Sequence, residues 1–265
     1  MAGRMRTGIG GWTFPPWRGV FYPEGLRQAD ELAYAASKLG AIEINGTYYS
    51  LQKPASWAAW AAATPEDFMF TVKGSRFCTN RKVLSDAGEA IARFMGQGLT
   101  ELGPKLGPIL WQFMATKKYD PVDFAGFLKL LPRELGGRTL RHCVEVRNAT
   151  FATEEFVDLA RSHGVAICAS ESPDYPLIAD VAADFVYARL MKGRDEIETG
   201  YEAPELDAWA ARFGHYAAGE GPPDLPVLAP PAPARDRDVF AFFISAGKVR
   251  APAAAMALAD RLRTG

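Results

Sequence analysis

The chain is poor in the residues on which metal and redox chemistry usually rest. Histidine occurs three times, as His142, His163 and His215, and no two stand at i, i+2 or i+4. A multi-histidine zinc cluster cannot be assembled from such a set. Cysteine also occurs three times, as Cys78, Cys143 and Cys168, without C-x-x-C spacing. Scattered thiols in odd number fit buried or free cysteines in a reducing compartment, not a disulfide framework. No G-x-S-x-G is present, so nucleophilic serine chemistry has no motif to stand on. No apolar run approaches the roughly 18 residues of a membrane span, and the start, MAGRMRTGIGGW, has no apolar signal-like core. These absences predict a cytoplasmic protein with no membrane partner. A net charge of −1 supplies no global basic field, which disfavours nucleic acid as a partner while leaving a local basic patch open.

What is present is an ordinary globular composition, 48% hydrophobic and 23% charged over 265 residues. Eight short apolar stretches read as strands: 7–12, 41–45, 68–73, 108–113, 142–147, 165–170, 184–191 and 238–244. Between most of them lie helical patterns, at 28–39, 54–63, 86–102, 121–131, 152–163 and 203–213, with a last one at 251–263. This alternation predicts one (β/α)8 TIM-barrel-like domain over 1–265. An open doubly wound sheet is the runner-up, but TGIGGW is no G-x-G-x-x-G. The Pro-rich segment 217–238 breaks the rhythm and reads as a surface linker on the N-terminal face of the barrel.

The stretch AIEINGTYY, 41–49, carries a carboxylate inside an apolar strand, where an unpaired charge is costly. Following alternate positions along the strands places polar groups inside the barrel: Glu43 and Asn45, Lys73, Gln112, Glu145 and Arg147, and Arg189. Arg76 and Glu171 stand just past strand ends, and Trp12 and Tyr48 lie among nearby aromatics. One reading is a self-neutralised ion network plugging the barrel. The other is a ligand site at the C-terminal ends of the strands, where three cations against two or three carboxylates leave room for an anion. On it, Glu43 and Glu145 are the catalytic candidates; Asn45, Lys73, Arg76, Gln112, Arg147, Arg189, Tyr48 and Trp12 are the ligand-binding ones. No cofactor is evident. A divalent metal on Glu43 and Glu145 stays open but lacks a clear third acid.

Several pieces together resemble one known family. GWTFPPWRGVFYPEGL (11–26), AIEINGTYYSL (41–51), FTVKGSRFCTNRKVL (70–84), LGPILWQF (106–113), VEVRNATF (144–151) and FVYARL (185–190) are similar to the domain of unknown function 72, or YecE-like, family. The resemblance runs nearly end to end; it implies a TIM-barrel-like fold and no established reaction. There are departures. Ile9 and Gly10 replace a usual Thr-Ser pair, and Asn80 and Met191 stand where His is common. Ile244, Ser245 and Ala246 replace an Asn-Asn-Asp-like run. Three functions compete: an enzyme (hydrolase, isomerase or lyase) or binder of a small anionic or sugar-like ligand, a non-catalytic scaffold, and a metal-dependent phosphodiesterase or nuclease by fold analogy. The oligomeric state is not legible.

Overall fold

The computed structural model describes residues 3–264. Eight parallel strands close into a barrel: β1 (Met5–Gly10), β2 (Ala41–Ile44), β3 (Met69–Lys73), β4 (Leu106–Gln112), β5 (His142–Glu145), β6 (Ala166–Glu171), β7 (Phe185–Lys192) and β8 (Asp238–Ala246). Each pairs with its sequence neighbours, and β8 closes on β1 with Arg6 opposite Phe240 and Gly8 opposite Phe242. The outer layer comprises α1 (Glu31–Lys38), α2 (Pro54–Ala62), α3 (Gly88–Met95), α4 (Pro121–Leu130), α5 (Glu154–Ser162), α6 (Ala203–Ala217) and α7 (Ala251–Thr264). This is a TIM barrel. No described helix is long and apolar enough to cross a membrane.

Local chemistry sets most helix ends. Asp120 accepts from the amides of Val122 and Asp123, and Pro121 opens α4 where a missing N–H costs nothing. Thr153 caps α5 by accepting from Phe156, and Glu202 with Glu205 forms a capping box at α6. The helix expected over 86–102 is shorter than its periodicity suggests. Gly98 takes φ +100°, which breaks it after Met95, and 99–105 continues as 3-10 turns. Strand β1 starts and ends earlier than expected, and Gly11, at φ +73°, turns the chain just past its end.

Alternation along the strands divides the apolar residues into two cores. Ile42, Ile44, Val72, Trp111, Val144 and Leu190 face outward and pack beneath the helices. Ala41, Leu110, Cys143, Cys168, Tyr187, Phe240 and Phe242 face inward and fill the barrel. Small side chains on β5 and β6 make room for the rings of β7 and β8, with Tyr187 and Phe242 centred 5.1 Å apart. The filled lower barrel leaves the buried polar network of Glu43, Glu145 and Arg189 towards the strand C-termini.

The Pro-rich segment contains no helix or strand but is more firmly held than a linker. The buried Arg237 guanidinium donates to the carbonyls of Ala183, Gly219, Pro233 and Arg235. Buried Asp180 accepts from the amides of Leu228 and Ala229. Its carbonyls and amides, lacking a ladder, find side-chain partners instead.

Candidate functional site

Arg189 is the hub. It projects inward from β7 and is 3% exposed. One end of its guanidinium donates to Glu43 on β2 at 2.9 Å; the other end pairs with Glu145 on β5. Both carboxylates are fully buried, and every one of their oxygens is occupied. Glu43 also accepts from Asn45 at 3.0 Å and from the Tyr187 hydroxyl at 2.7 Å; Glu145 also accepts from Arg147 Nε at 2.7 Å. Burial opposes ionisation of Glu145, but Arg189, Arg147 and Lys73 outweigh it and hold its pKa below the usual carboxylate range. Burial raises the Tyr187 pKa and the Glu43 charge raises it further, so the phenol stays protonated and donates. Thr71, on β3 next to the strand of Glu43, closes this chain at 2.9 Å from the Tyr187 oxygen.

Lys73 ends β3 beside this cluster and has no carboxylate of its own. Its ammonium donates to the Gln112 amide oxygen at 2.6 Å and lies 4.5 Å from the centre of the Tyr48 ring. Burial pushes its pKa down to about 8, and Arg189 lowers it against the opposing pull of Glu43 and Glu145. The loop after β2 is shaped to place Tyr48 there. Thr47 donates to the Lys73 carbonyl at 2.6 Å, and Asn80 donates to the Tyr48 hydroxyl at 3.0 Å. Asn80 therefore supplies a polar contact at the rim. Opposite, Arg147 lies just past β5 and stacks on Tyr175, 4.4 Å from the ring centre.

The structure thus gathers Glu43, Asn45, Lys73, Gln112, Glu145, Arg147, Arg189 and Tyr48 at the C-terminal mouth. It does not bring Trp12 and Arg76 to them. Gly11 turns the Trp12 ring outward onto Trp60 and Phe70, at 5.1 and 6.4 Å between ring centres. Arg76 is exposed on a one-turn helix, against the rings of Tyr49 and Phe77. Glu171 also faces away, accepting from Trp209 and Tyr201 beneath α6. Sequence reasoning missed Thr71, Tyr175 and the structural part played by Tyr187. Alternation along the strand does put Tyr187 on the inward face with Arg189, but its partners Glu43 and Thr71 come from other strands.

The mouth has two unlike halves. Lys73, Gln112, Glu145 and Arg147 form a charged side, whereas Met191 and Ile244 join the inner apolar cluster on the other. Gly10 belongs to that second half: a Cβ there would lie 3.1 Å from Ile244 Cγ2 and 2.9 Å from Asn45 Nδ2. In β8 the register shifts between Phe243 and Ala246, and Ser245 takes φ +68°, a left-handed backbone uncommon outside glycine. Among the described residues, no group of three or more His, Cys, Asp or Glu side chains is placed to hold a metal. Three larger clefts lie away from this centre: a 520 Å3 groove beside Tyr49 and Phe77, and clefts of 760 and 780 Å3 at the opposite end of the barrel.

Comparison with known proteins agrees with this architecture. Residues 6–265 match the family model described as Protein of unknown function DUF72. The chain belongs to this family. Two curated relatives, the UPF0759 protein YecE of Escherichia coli K12 and of O157:H7, are each 26% identical over 147 residues. Those matches cover 54% of this chain and 48% of YecE, so the chain spans about half the length of the curated relatives it matches. A DUF72 family protein from Thermotoga maritima has a similar structure, with TM-score 0.72 at 22% identity and 98% of both chains covered. One from Enterococcus faecalis gives 0.71 at 16% identity, covering 98% of this chain and 95% of that one. A xylose isomerase-like TIM barrel/4-hydroxyphenylpyruvate dioxygenase fusion protein aligns at 0.55 and 14% identity, over 99% of this chain and 44% of the fusion. These likenesses share the fold.

Proposed function

We propose that this DUF72 protein binds a small anionic ligand at the C-terminal mouth of its barrel, on Lys73 and Arg147. The observation that carries the reading is the charge balance at a buried centre. Arg189, Arg147 and Lys73 face only Glu43 and Glu145, and Lys73 forms no ion pair among the described residues, meeting the neutral Gln112 amide and the Tyr48 ring. An ammonium held out of water without a counter-ion is costly, and a ligand carboxylate or phosphate supplies the missing partner. Tyr48 and Tyr175 offer flat walls against which a sugar-like or planar body can lie.

Glu43 and Glu145, the acid–base candidates, have every oxygen engaged within the protein. We assign them first to holding Arg189. Proton transfer to a bound ligand draws more readily on Lys73, whose pKa near 8 lies within reach of neutral pH. A metal-dependent reading gains no support from the described side chains.

The test is a thermal-shift series with phosphate, sulfate and small mono- and dicarboxylates. Stabilisation by one of them, abolished by Lys73→Met and by Arg147→Ala, is the expected result. No stabilisation by any, or a shift that survives both substitutions, overturns the reading.

A further inference from the structure

The net charge of −1 conceals an uneven distribution over the fold. At the N-terminal end of the barrel, opposite the mouth, three clefts meet. The first, of 760 Å3, brings together Lys129, Arg133, Arg141 and Arg235 against Asp184. The second, of 220 Å3, shares Arg141 with the first and adds Arg6 beside Asp238. The third, of 780 Å3, shares Arg6 with the second and carries Arg4, Lys38 and Arg263 against Asp67. The shared arginines set the clefts side by side as one grooved face, lined by eight cationic side chains and three aspartates.

Part of this charge is spent internally: Arg141 pairs with Asp238 at 2.8 Å, and Arg263 pairs with Asp260. Lys129, Arg133 and Arg235 are exposed and form no ion pair with a described carboxylate. Neighbouring groups register the field. Burial lowers the His163 pKa, and Arg133 and Lys129 lower it further. The held Pro-rich segment gains a purpose here, because it delivers Arg235 to the rim of the first cleft.

The lining also says what kind of polyanion fits. Six of the eight cations are arginine, whose planar fork matches phosphate oxygens. The phenylalanines that line the groove, Phe68 and Phe185, are buried, so neither offers an open face on which a base could stack. Adjoining clefts set between strand starts and helix ends suit a slender, flexible chain better than a rigid duplex resting across them. We propose that this groove binds a linear, base-free phosphate chain, of which inorganic polyphosphate is the simplest form. The proposal stands independently of the anion site at the mouth.

The test is titration of the intact protein with inorganic polyphosphate by calorimetry, from about 50 to about 200 mM salt. Binding should weaken steeply with salt, since phosphate contacts release counter-ions. The triple charge reversal Lys129→Glu, Arg133→Glu, Arg235→Glu should weaken it at least about tenfold at the lower salt, and Lys73→Met should leave it unchanged. If the triple variant does not fold, Arg235→Glu alone, on an exposed loop position, should still give a smaller loss in the same direction. Absence of binding, or binding indifferent to these reversals, overturns the proposal. So does loss with Lys73→Met, which would move the chain to the mouth. Equal affinity for duplex DNA or for vesicles of anionic lipid, lost in the same variants, overturns it in favour of those partners.

Discussion

The Lys73 ammonium lies 2.6 Å from the Gln112 side-chain oxygen, and this neutral contact is its one hydrogen bond. A buried cation held by an amide and the Tyr48 ring, without an ion pair of its own, is poorly stabilised, which makes Lys73 a measurable cost to folding. Lys73→Met keeps the side-chain length and removes the charge. It should raise stability at pH 7 by on the order of 1–3 kcal/mol while abolishing anion binding. Denaturant unfolding with and without the stabilising anion checks both halves.

The same group has a pH signature with a defined sign. Its folded pKa of about 8 lies below the ordinary lysine value of 10.5, so between these limits the unfolded chain binds more protons. Wild-type stability should therefore rise from pH 8 towards 10.5 relative to Lys73→Met. Anion affinity should move the opposite way, falling as pH rises through about 8. Parallel unfolding curves for the two proteins across this window would refute the assignment.

Arg189 holds two buried carboxylates, so its removal strands both. Arg189→Met should destabilise by roughly 3–5 kcal/mol, the usual range for an uncompensated buried charge. Adding Glu43→Gln and Glu145→Gln should restore much of that loss. Unfolding midpoints of the single and triple variants decide it; a mild Arg189→Met would mean that water reaches the carboxylates.

His142 opens β5 with both ring nitrogens engaged. Trp111 donates to Nδ1 at 3.1 Å, which leaves Nε2 to donate to the Pro132 carbonyl at 2.7 Å. Burial pushes its pKa down to about 4, so it is neutral in the native state. Its contribution is complete above the ordinary pKa of 6.5 and is lost as pH falls towards 4. His142→Asn, which can accept and donate in its place, should flatten the acid limb of the stability curve between those values.

Gly10 and Ile244 share one small space at the mouth. Gly10→Ala should cost about 1–3 kcal/mol by overpacking. Combined with Ile244→Ala, the total should fall short of the two single losses added together, because the second change vacates the room the first needs. A double-mutant cycle measures the coupling; strict additivity would show that the mouth relaxes elsewhere.

Much of this arrangement follows from local rules. Alternation along a strand has a period of two, so the inward positions of Glu43, Lys73, Gln112, Glu145 and Arg189 could be counted from the residues alone. Strand and helix order was equally local, and eight alternations leave few closed solutions. Trp12 and Arg76 were misplaced because each lies beyond a strand end, where alternation no longer applies. Gly11 and the one-turn helix at 76–79 set their directions instead.

Other features exist only once the barrel closes. Arg189 meets Glu43 across 146 positions and Glu145 across 44, and nothing in either neighbourhood marks those partners. The basic groove likewise gathers Arg4, Arg133 and Arg235 from distant segments, within a chain whose total charge is −1. Composition adds charges without regard to place, and alternation gives a side without giving a neighbour. The sequence by itself determined which side chains point into the barrel. Closure decided which of them meet, and so where a charge is left without a partner.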